Sequence, residues 1–295
     1  MKAKIKDKIW TKVLYVISGF VILLLFALII YILVKGAGFF KPSFLFGNAK
    51  YGEAGGGIGP QFFNSFYMLV VALVISVPLG VGAGIYLAEY TRKGIILNII
   101  RLCIETMSSL PSIVVGLFGL LVFVSMTNWG FTLLSGALAI SVLNLPALTR
   151  VSENAIREAS KPVKEASLGL GATRWQTISK VVLPSAIPEI LTGIILASGR
   201  IFGEAAALLY TAGMSAPKLN FSADNLASST SPFSLFRPAE TLAVYIWKLN
   251  SEGMVPDAAQ IANKASAVLV IMVLLFNLLA RILGKKIYES YTGKK

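Results

Sequence analysis

The stretch KVLYVISGFVILLLFALIIYILV, residues 12–34, is an unbroken apolar run that is long enough to cross a membrane. A helix needs about 20 mostly apolar residues to span the hydrocarbon core of about 30 Å. The lysines at positions 2, 4, 6 and 8 precede the run, as in a secretory signal peptide, but the run is too long for one and lacks a clear small-residue cleavage site. The sequence therefore predicts a retained first span, from about Lys12 to Val34.

The chain as a whole is also strongly apolar. Of its 295 residues, 56% are apolar and only 14% are charged, which is far from the balance of a soluble domain. The net charge of +13 could indicate a nucleic-acid partner, but the basic residues lie at the ends of apolar runs instead of forming one stripe. The expected partner is therefore membrane lipid, and no nucleic acid is expected.

The residues that most often carry catalysis or bind metals are scarce. Cys103 is the single cysteine, and the chain has no histidine, so an internal disulfide and the usual zinc or haem ligand sets are excluded. No Gly-x-x-x-x-Gly-Lys-Ser/Thr string occurs, so a P-loop cannot hold ATP. We expect no cofactor and no catalytic activity in this chain, and any energy from ATP must come from another subunit.

Charge clusters at the ends of the apolar runs predict an all-α polytopic membrane protein with about six transmembrane helices. Basic residues favour the cytoplasmic side, which places both termini in the cytoplasm of a bacterial or archaeal cell with the chain in its cytoplasmic (inner) membrane. Residues 1–11 would be a cytoplasmic tail and 12–295 a single transmembrane domain. The predicted spans are about 12–34, 64–90, 104–127, 131–149, a fifth from after Pro184 and Pro188 to about Tyr210, and 264–283.

Two long polar segments separate the later spans. Residues 150–184 are rich in Lys and Arg and are predicted to form a cytoplasmic loop. Residues 211–263 mix Ser, Pro, Asn and charges of both signs, which predicts a large external loop with a short surface helix at about Glu240 to Leu249.

The cytoplasmic segment predicts a compact helix–turn–helix. Small residues and a proline bound two short helices, with a turn at Gly169 to Gly171. Trp175 and Ile178 are three apart and would share a face, which would give the segment an aromatic anchor for a partner protein. The alternative is a helix on the bilayer surface with Trp175 at the headgroup level.

The segment contains Glu165-Ala166, then Gly171, and ends in Leu183-Pro184, and with this spacing it resembles the EAA loop of importer-type ABC permeases. Ser167 and Val181 replace Ala and Ile of that pattern. The resemblance implies a permease domain whose loop docks in a cleft of an ATPase subunit, with a coupling surface that includes Ala172 and Trp175. The residues that match the pattern in register are Glu165, Ala166, Gly171, Leu183 and Pro184.

A narrower resemblance covers most of the chain from Gly55 to Arg281. The strings PLGVG (78–82), YLAEY (86–90), LPSIVVGLFG (110–119) and GRIFGE (199–204) are similar to those of the phosphate importer permease pair. LLYTAG (208–213) and NLLAR (277–281) look more like the PstA type than PstC, although Ala205 and Ala207 depart from the PstA pattern. The resemblance implies phosphate uptake with a PstC-type permease, two copies of an ATPase subunit and an external phosphate-binding protein.

Other transport classes stay open at this point. Importers of molybdate, tungstate and sulfate also have an EAA loop, so another oxyanion is an alternative cargo. A secondary transporter would need internal repeats, and the sequence shows no convincing self-similarity. A membrane enzyme has no identifiable nucleophile–base pair in its favour.

Two charged residues lie inside the fifth predicted span. Arg200 and Glu204 are four apart and would share a helix face. Charges at membrane depth cost about 2.5–3.5 kcal/mol each on insertion scales, so they should face protein or water. The guanidinium of Arg200 suits the oxygens of phosphate, and Glu204 nearby could keep the site from holding the anion too tightly, so both residues are candidates for the anion pathway or its gate. Alternatively, the two side chains satisfy each other or hold a partner subunit.

Overall fold

The computed structural model describes residues 2–50, 52–92, 94–222, 228, 230–253 and 255–292. Within these ranges the protein is all-helical and has no strand. The helices are α1 Lys2–Lys35, α2 Pro42–Leu45, α3 Gly59–Ile85, α4 Ile95–Ser108, α5 Ser112–Gly119, α6 Leu133–Ser160, α7 Lys164–Gly169, α8 Arg174–Thr177, α9 Leu183–Gly203, α10 Ala206–Leu209, α11 Leu242–Glu252 and α12 Ala258–Thr292. The π-helical turns Tyr86–Tyr90, Leu120–Ser125 and Ile178–Val182 extend α3, extend α5 and join α8 to α9.

The described residues contain five helices that are long and apolar enough to cross a membrane, and a bent helix pair that would make a sixth. The five run 28 to 32 residues, which exceeds the roughly 20 that a span needs. The predicted all-α fold with about six apolar helices is therefore confirmed. The five are Lys6–Lys35, Gly59–Tyr90, Leu133–Ser160, Arg174–Gly203 and Ala258–Lys286.

The third predicted span is not one helix. α4 ends at Ser108, α5 begins at Ser112, and the two axes differ by 98°. Pro111 lies at the bend with extended backbone angles, φ −59° and ψ 138°. Proline has no N–H to donate, and it restricts the residue before it, so the α4 helix cannot continue through this point. The prediction of a continuous helix over 104–127 is wrong.

The fifth predicted span has the wrong limits at both ends. The helix runs without a break from Arg174 through the π-helical turn to Gly203, so Pro184 and Pro188 lie inside it. Pro184 is the second residue after the π-helical turn, where the regular hydrogen-bond ladder is already interrupted, and its missing N–H therefore costs little there. The helix stops at Gly203 and does not reach Tyr210.

Close backbone contacts hold the membrane helices together. A Cβ on Gly84 of α3 would lie 2.5 Å from the Cβ of Ser152 in α6, and one on Gly116 of α5 would lie 2.8 Å from the Cα of Ala207. Small residues permit such approaches, which is the usual way in which helices pack in lipid. The first helix differs, because its apolar window is wholly exposed and it packs on α12 near its C-terminal end.

The segment predicted as an external loop contains α11, which is not a surface helix. Leu242, Val244, Tyr245 and Leu249 are buried and belong to the main hydrophobic core. The apolar residues of this short helix follow its inner face, and they pack against α3, α9 and α12. The predicted surface position of this helix is therefore wrong.

Candidate functional site

The segment between α6 and α9 forms a helix–turn–helix with an exposed surface. α7 ends in a turn in which Gly171 has φ +87°, a backbone conformation that side-chain-bearing residues rarely adopt. Thr173 then starts α8 through a capping box with Gln176. Glu165, Ala166 and Gly171 are exposed on this segment, and Ala172 is half-buried.

The exposed apolar residues of the turn are Leu170 and Trp175. Trp175 is 63% exposed, but Ile178 is only 2% exposed, so the two do not share a face as predicted. The reason is that α8 ends at Thr177 and Ile178 begins the π-helical turn, which changes the angular position of the following residues. Leu170, at 91% exposure, is an exposed apolar side chain that the sequence reasoning missed. We call Glu165, Ala166, Leu170, Gly171, Ala172 and Trp175 the coupling surface, after the contact with an ATPase subunit that the sequence resemblance predicts.

An ion pair connects the coupling surface to a membrane helix. Lys164, the first residue of α7, donates to Glu89 at the end of the α3 span, with 2.5 Å between Nζ and Oε2. The side chain of Glu89 is only 5% exposed, so the contact lies largely out of water. Within the turn, the hydroxyls of Ser167 and Thr177 lie 2.9 Å apart. The ion pair therefore links α7 directly to the end of the α3 span.

A second charged cluster holds α4 against α6. Glu153 is 5% exposed and accepts hydrogen bonds from Arg101 of α4 and Arg157 of its own helix, the latter at 2.7 Å. Arg150 pairs with Glu105 at 2.9 Å. These residues line a polar cavity of about 270 Å³. The pairs hold α4, the helix before the Pro111 bend, against α6; only its last residues, from 104 onward, lie in a predicted span.

The structure does not place Arg200 and Glu204 on one helix face. Arg200 is exposed in the last turn of α9, whereas Glu204 follows the end of the helix with extended backbone and is 9% exposed. Glu204 Oε1 accepts from the backbone N–H of Ala207 at 3.1 Å, so it caps α10. No ion pair between Arg200 and Glu204 occurs among the described residues. The predicted shared face is wrong because the helix ends between them.

A buried polar cluster at the other end of α3 was not predicted. Arg237 is fully buried and donates to Asn64 Oδ1 at 2.8 Å and to the carbonyl oxygens of Ser231 and Pro232 at 3.0 and 2.8 Å. Burial lowers the pKa of Arg237 to about 10, and the electrostatic attraction of Tyr67 acts in the opposite direction by raising it. Arg237 therefore stays charged at neutral pH. It fixes the segment before α11 onto the first turns of α3.

Glu240 completes this cluster. It is fully buried, accepts from Gln61 Nε2 at 2.9 Å and pairs with Lys248 Nζ at 3.3 Å. Burial raises the pKa of Glu240, and the hydrogen bond from Gln61 and the charge of Lys248 act in the opposite direction. The contacts of Glu240 with Gln61 and of Arg237 with Asn64 join positions more than 170 residues apart, so no local pattern in the sequence indicates them.

Comparison with known proteins gives a family match and close relatives. The family model described as "Binding-protein-dependent transport system inner membrane component" matches residues 80–290. The probable ABC transporter permease protein YqgI of Bacillus subtilis is 53% identical over 99% of this chain and 100% of its own length. The phosphate transport system permease protein PstA of Yersinia pestis is 37% identical over 79% of this chain and 74% of its own length.

Solved structures with a similar fold are importer complexes. The inward-facing MetNI methionine ABC transporter matches with a TM-score of 0.56 and 18% identity, over 78% of this chain and 94% of that chain. A bacterial ABC transporter involved in the import of alginate matches with a TM-score of 0.53 and 16% identity, over 77% of this chain and 78% of that chain. At these identities the likeness concerns the fold, which is that of type I importer permeases.

Proposed function

Since the chain belongs to the family of binding-protein-dependent transport system inner membrane components, we propose that this ABC importer permease takes up inorganic phosphate. The observation that carries the cargo assignment is Arg200, an exposed arginine in a membrane-spanning helix. A guanidinium presents a planar set of donors that matches the oxygens of phosphate. The identity of 37% to a PstA protein supports the same cargo.

The pathway for phosphate would form between this chain and a second permease. An isolated charge costs several kcal/mol in lipid, so Arg200 must face water or protein in the assembled transporter. A partner of PstC type would supply the opposite wall, and an external phosphate-binding protein would deliver the anion. In this arrangement both termini and the coupling surface lie in the cytoplasm of a multi-pass inner-membrane protein.

ATPase subunits would bind the coupling surface. Leu170 and Trp175 offer exposed apolar side chains of the kind that anchor protein interfaces, and Glu165 adds a charge beside them. Two ATPase copies would contact the two permeases, one under each coupling turn. Closure of the ATPases on ATP would move α7, and the pair between Lys164 and Glu89 would pass that movement to α3.

Another oxyanion is the second candidate cargo. Arginine binds any tetrahedral oxyanion through the same donor geometry, so Arg200 by itself does not separate phosphate from molybdate, tungstate or sulfate. The relatives named PstA favour phosphate. Competition between these anions in one uptake assay distinguishes the two candidates.

The test is ATP-dependent uptake of labelled phosphate into vesicles that carry the assembled transporter. Arg200→Gln should abolish uptake while the ATPase subunit still copurifies, and Arg281→Gln, a matched change at an exposed arginine of α12, should transport normally. Excess unlabelled phosphate should compete, whereas molybdate and sulfate should not. Normal uptake by Arg200→Gln, or competition by another oxyanion alone, would contradict the proposal.

A further inference from the structure

One exposed face of α9 carries four polar side chains along the span, with Leu196 as its apolar member. Its exposed residues recur at intervals of three and four, so they form a single stripe along the helix. Two of them carry charge within the apolar span Arg174–Gly203. The stripe consists of Ser185, Glu189, Thr192, Leu196 and Arg200.

The exposed face of α12 differs from that of α9, because most of its residues are apolar. There the exposed residues from 274 to 283 include five leucines, with exposures of 49% to 58%, and the other two are Arg281 and Ile282 near the end of the span. A purely apolar face is stable against lipid tails, whereas an unpaired glutamate and an arginine are not. The leucine face is made by Leu274, Leu275, Leu278, Leu279 and Leu283.

Glu189 has no ion-pair partner among the residues that the structure describes, and the same is true of Arg200. A carboxylate inside a span faces a water-filled path or a partner protein, because lipid does not solvate it. Glu189 lies eleven positions before Arg200, which corresponds to about 16 Å along the helix axis. The two charges thus lie at different depths on one face.

We propose that this stripe of α9 lines the translocation pathway and that Glu189 is a second charged residue of the pathway. Arg200 attracts the anion near the end of α9 that is remote from the coupling surface. Glu189 repels it from the half nearer that surface and thereby favours its release. This inference rests on the proposed transport of an anion, and it adds a residue that the sequence reasoning did not single out.

The proposal predicts a local electrostatic field that depends on Glu189. Thr192 lies one turn away, about 4.5 Å along the axis, whereas Arg200 is about 12 Å from it. Screening in salt reduces the influence of a charge beyond about 8 to 10 Å. A thiol at position 192 should therefore react with charged reagents at rates that Glu189 controls.

The experiment uses the assembled transporter with Cys103→Ser, which removes the single cysteine. Thr192→Cys is then exposed to two methanethiosulfonates of similar size, one with a sulfonate and one with a trimethylammonium group. Both should modify the thiol. Adding Glu189→Gln should slow the cationic reagent and speed the anionic one by about threefold each, as expected for unit charges several Å apart in water.

Three controls keep the result specific. Leu275→Cys on the leucine face should stay unmodified, because a thiol in lipid does not ionise. Glu189→Asp keeps the charge and should preserve the ratio of the two rates. Glu158→Gln removes an exposed glutamate at the end of α6 and should leave the ratio unchanged.

Each outcome bears on a separate claim. If Thr192→Cys resists both reagents while the ATPase subunit copurifies, the stripe does not line the pathway. If the thiol reacts but Glu189→Gln leaves the ratio of rates as it was, Glu189 does not set the field. Accessibility does not depend on the cargo, so phosphate uptake measured in the same Cys103→Ser background tests the proposed function independently.

Discussion

Lys164 Nζ lies 2.5 Å from Oε2 of Glu89, although the two residues are 75 positions apart. Lys164 is the first residue of α7, the short helix that carries part of the coupling surface. Glu89 lies in the π-helical turn that ends the α3 span. The contact is shielded, with Glu89 only 5% exposed. It is a direct non-covalent connection from the coupling surface to the α3 span.

Breaking this pair should uncouple ATP hydrolysis from transport. Lys164→Met leaves a buried carboxylate without its partner, so we expect the phosphate transported per ATP hydrolysed to fall by several-fold while the complex still assembles. The exchange Lys164→Glu with Glu89→Lys should restore part of the loss. Lys161→Met, which removes an exposed pair with Glu158 in the same loop, is the control. Unchanged stoichiometry in Lys164→Met would show that the pair has no coupling role.

A substitution at Gly171 should damage the coupling surface through its backbone. Its φ of +87° costs a residue with a side chain about 1–2 kcal/mol, and a Cβ there meets no other atom within 4 Å, so strain is the sole steric effect. We expect Gly171→Ala to lower uptake while assembly persists, and Gly171→Asp to lower it less, because aspartate adopts a positive φ more readily than alanine. Gly169→Ala is the matched control, since Gly169 has equal space and no positive φ. Equal uptake by all variants would contradict this role.

The buried guanidinium of Arg237 should stabilise the fold. Arg237→Met leaves Asn64 Oδ1 and the carbonyl oxygen of Pro232 without the donors that they have here, and we expect a loss of about 1–3 kcal/mol in the free energy of unfolding. Thermal unfolding in detergent measures this effect. Arg281→Met, at an exposed position, should change the unfolding temperature little. Similar unfolding temperatures for the two variants would refute the assignment.

Stability should depend on pH through Glu240. Because burial raises its pKa in the folded protein, the folded state binds the proton more tightly than the unfolded chain, in which the ordinary value of 4.5 applies. The contribution of Glu240 to the free energy of unfolding is fully present below pH 4.5. It is lost as the pH rises through the pKa that Glu240 has in the folded protein. The unfolding temperature of Glu240→Gln should lack this component. Identical pH profiles for the variant and the parent protein would rule it out.

The sequence predicted local features well where one segment decides them. The apolar runs located the membrane helices, and the turn at Gly171 followed from its glycine and the helix formers on either side. Its errors concerned the ends of helices and the burial of α11. Pro111 broke a span and Pro184 did not, because the π-helical turn before Pro184 already interrupts the hydrogen-bond ladder.

The sequence by itself determined that this protein is an all-helical membrane protein with an exposed turn that resembles an EAA loop, because hydropathy and backbone preference act between neighbours in the chain. Only the tertiary structure decided the partners of its charges. Glu89 with Lys164 and Asn64 with Arg237 meet across 75 and 173 positions. The end of α9 at Gly203 likewise separated Arg200 from Glu204. Such contacts depend on how the helices pack together, which no single segment encodes.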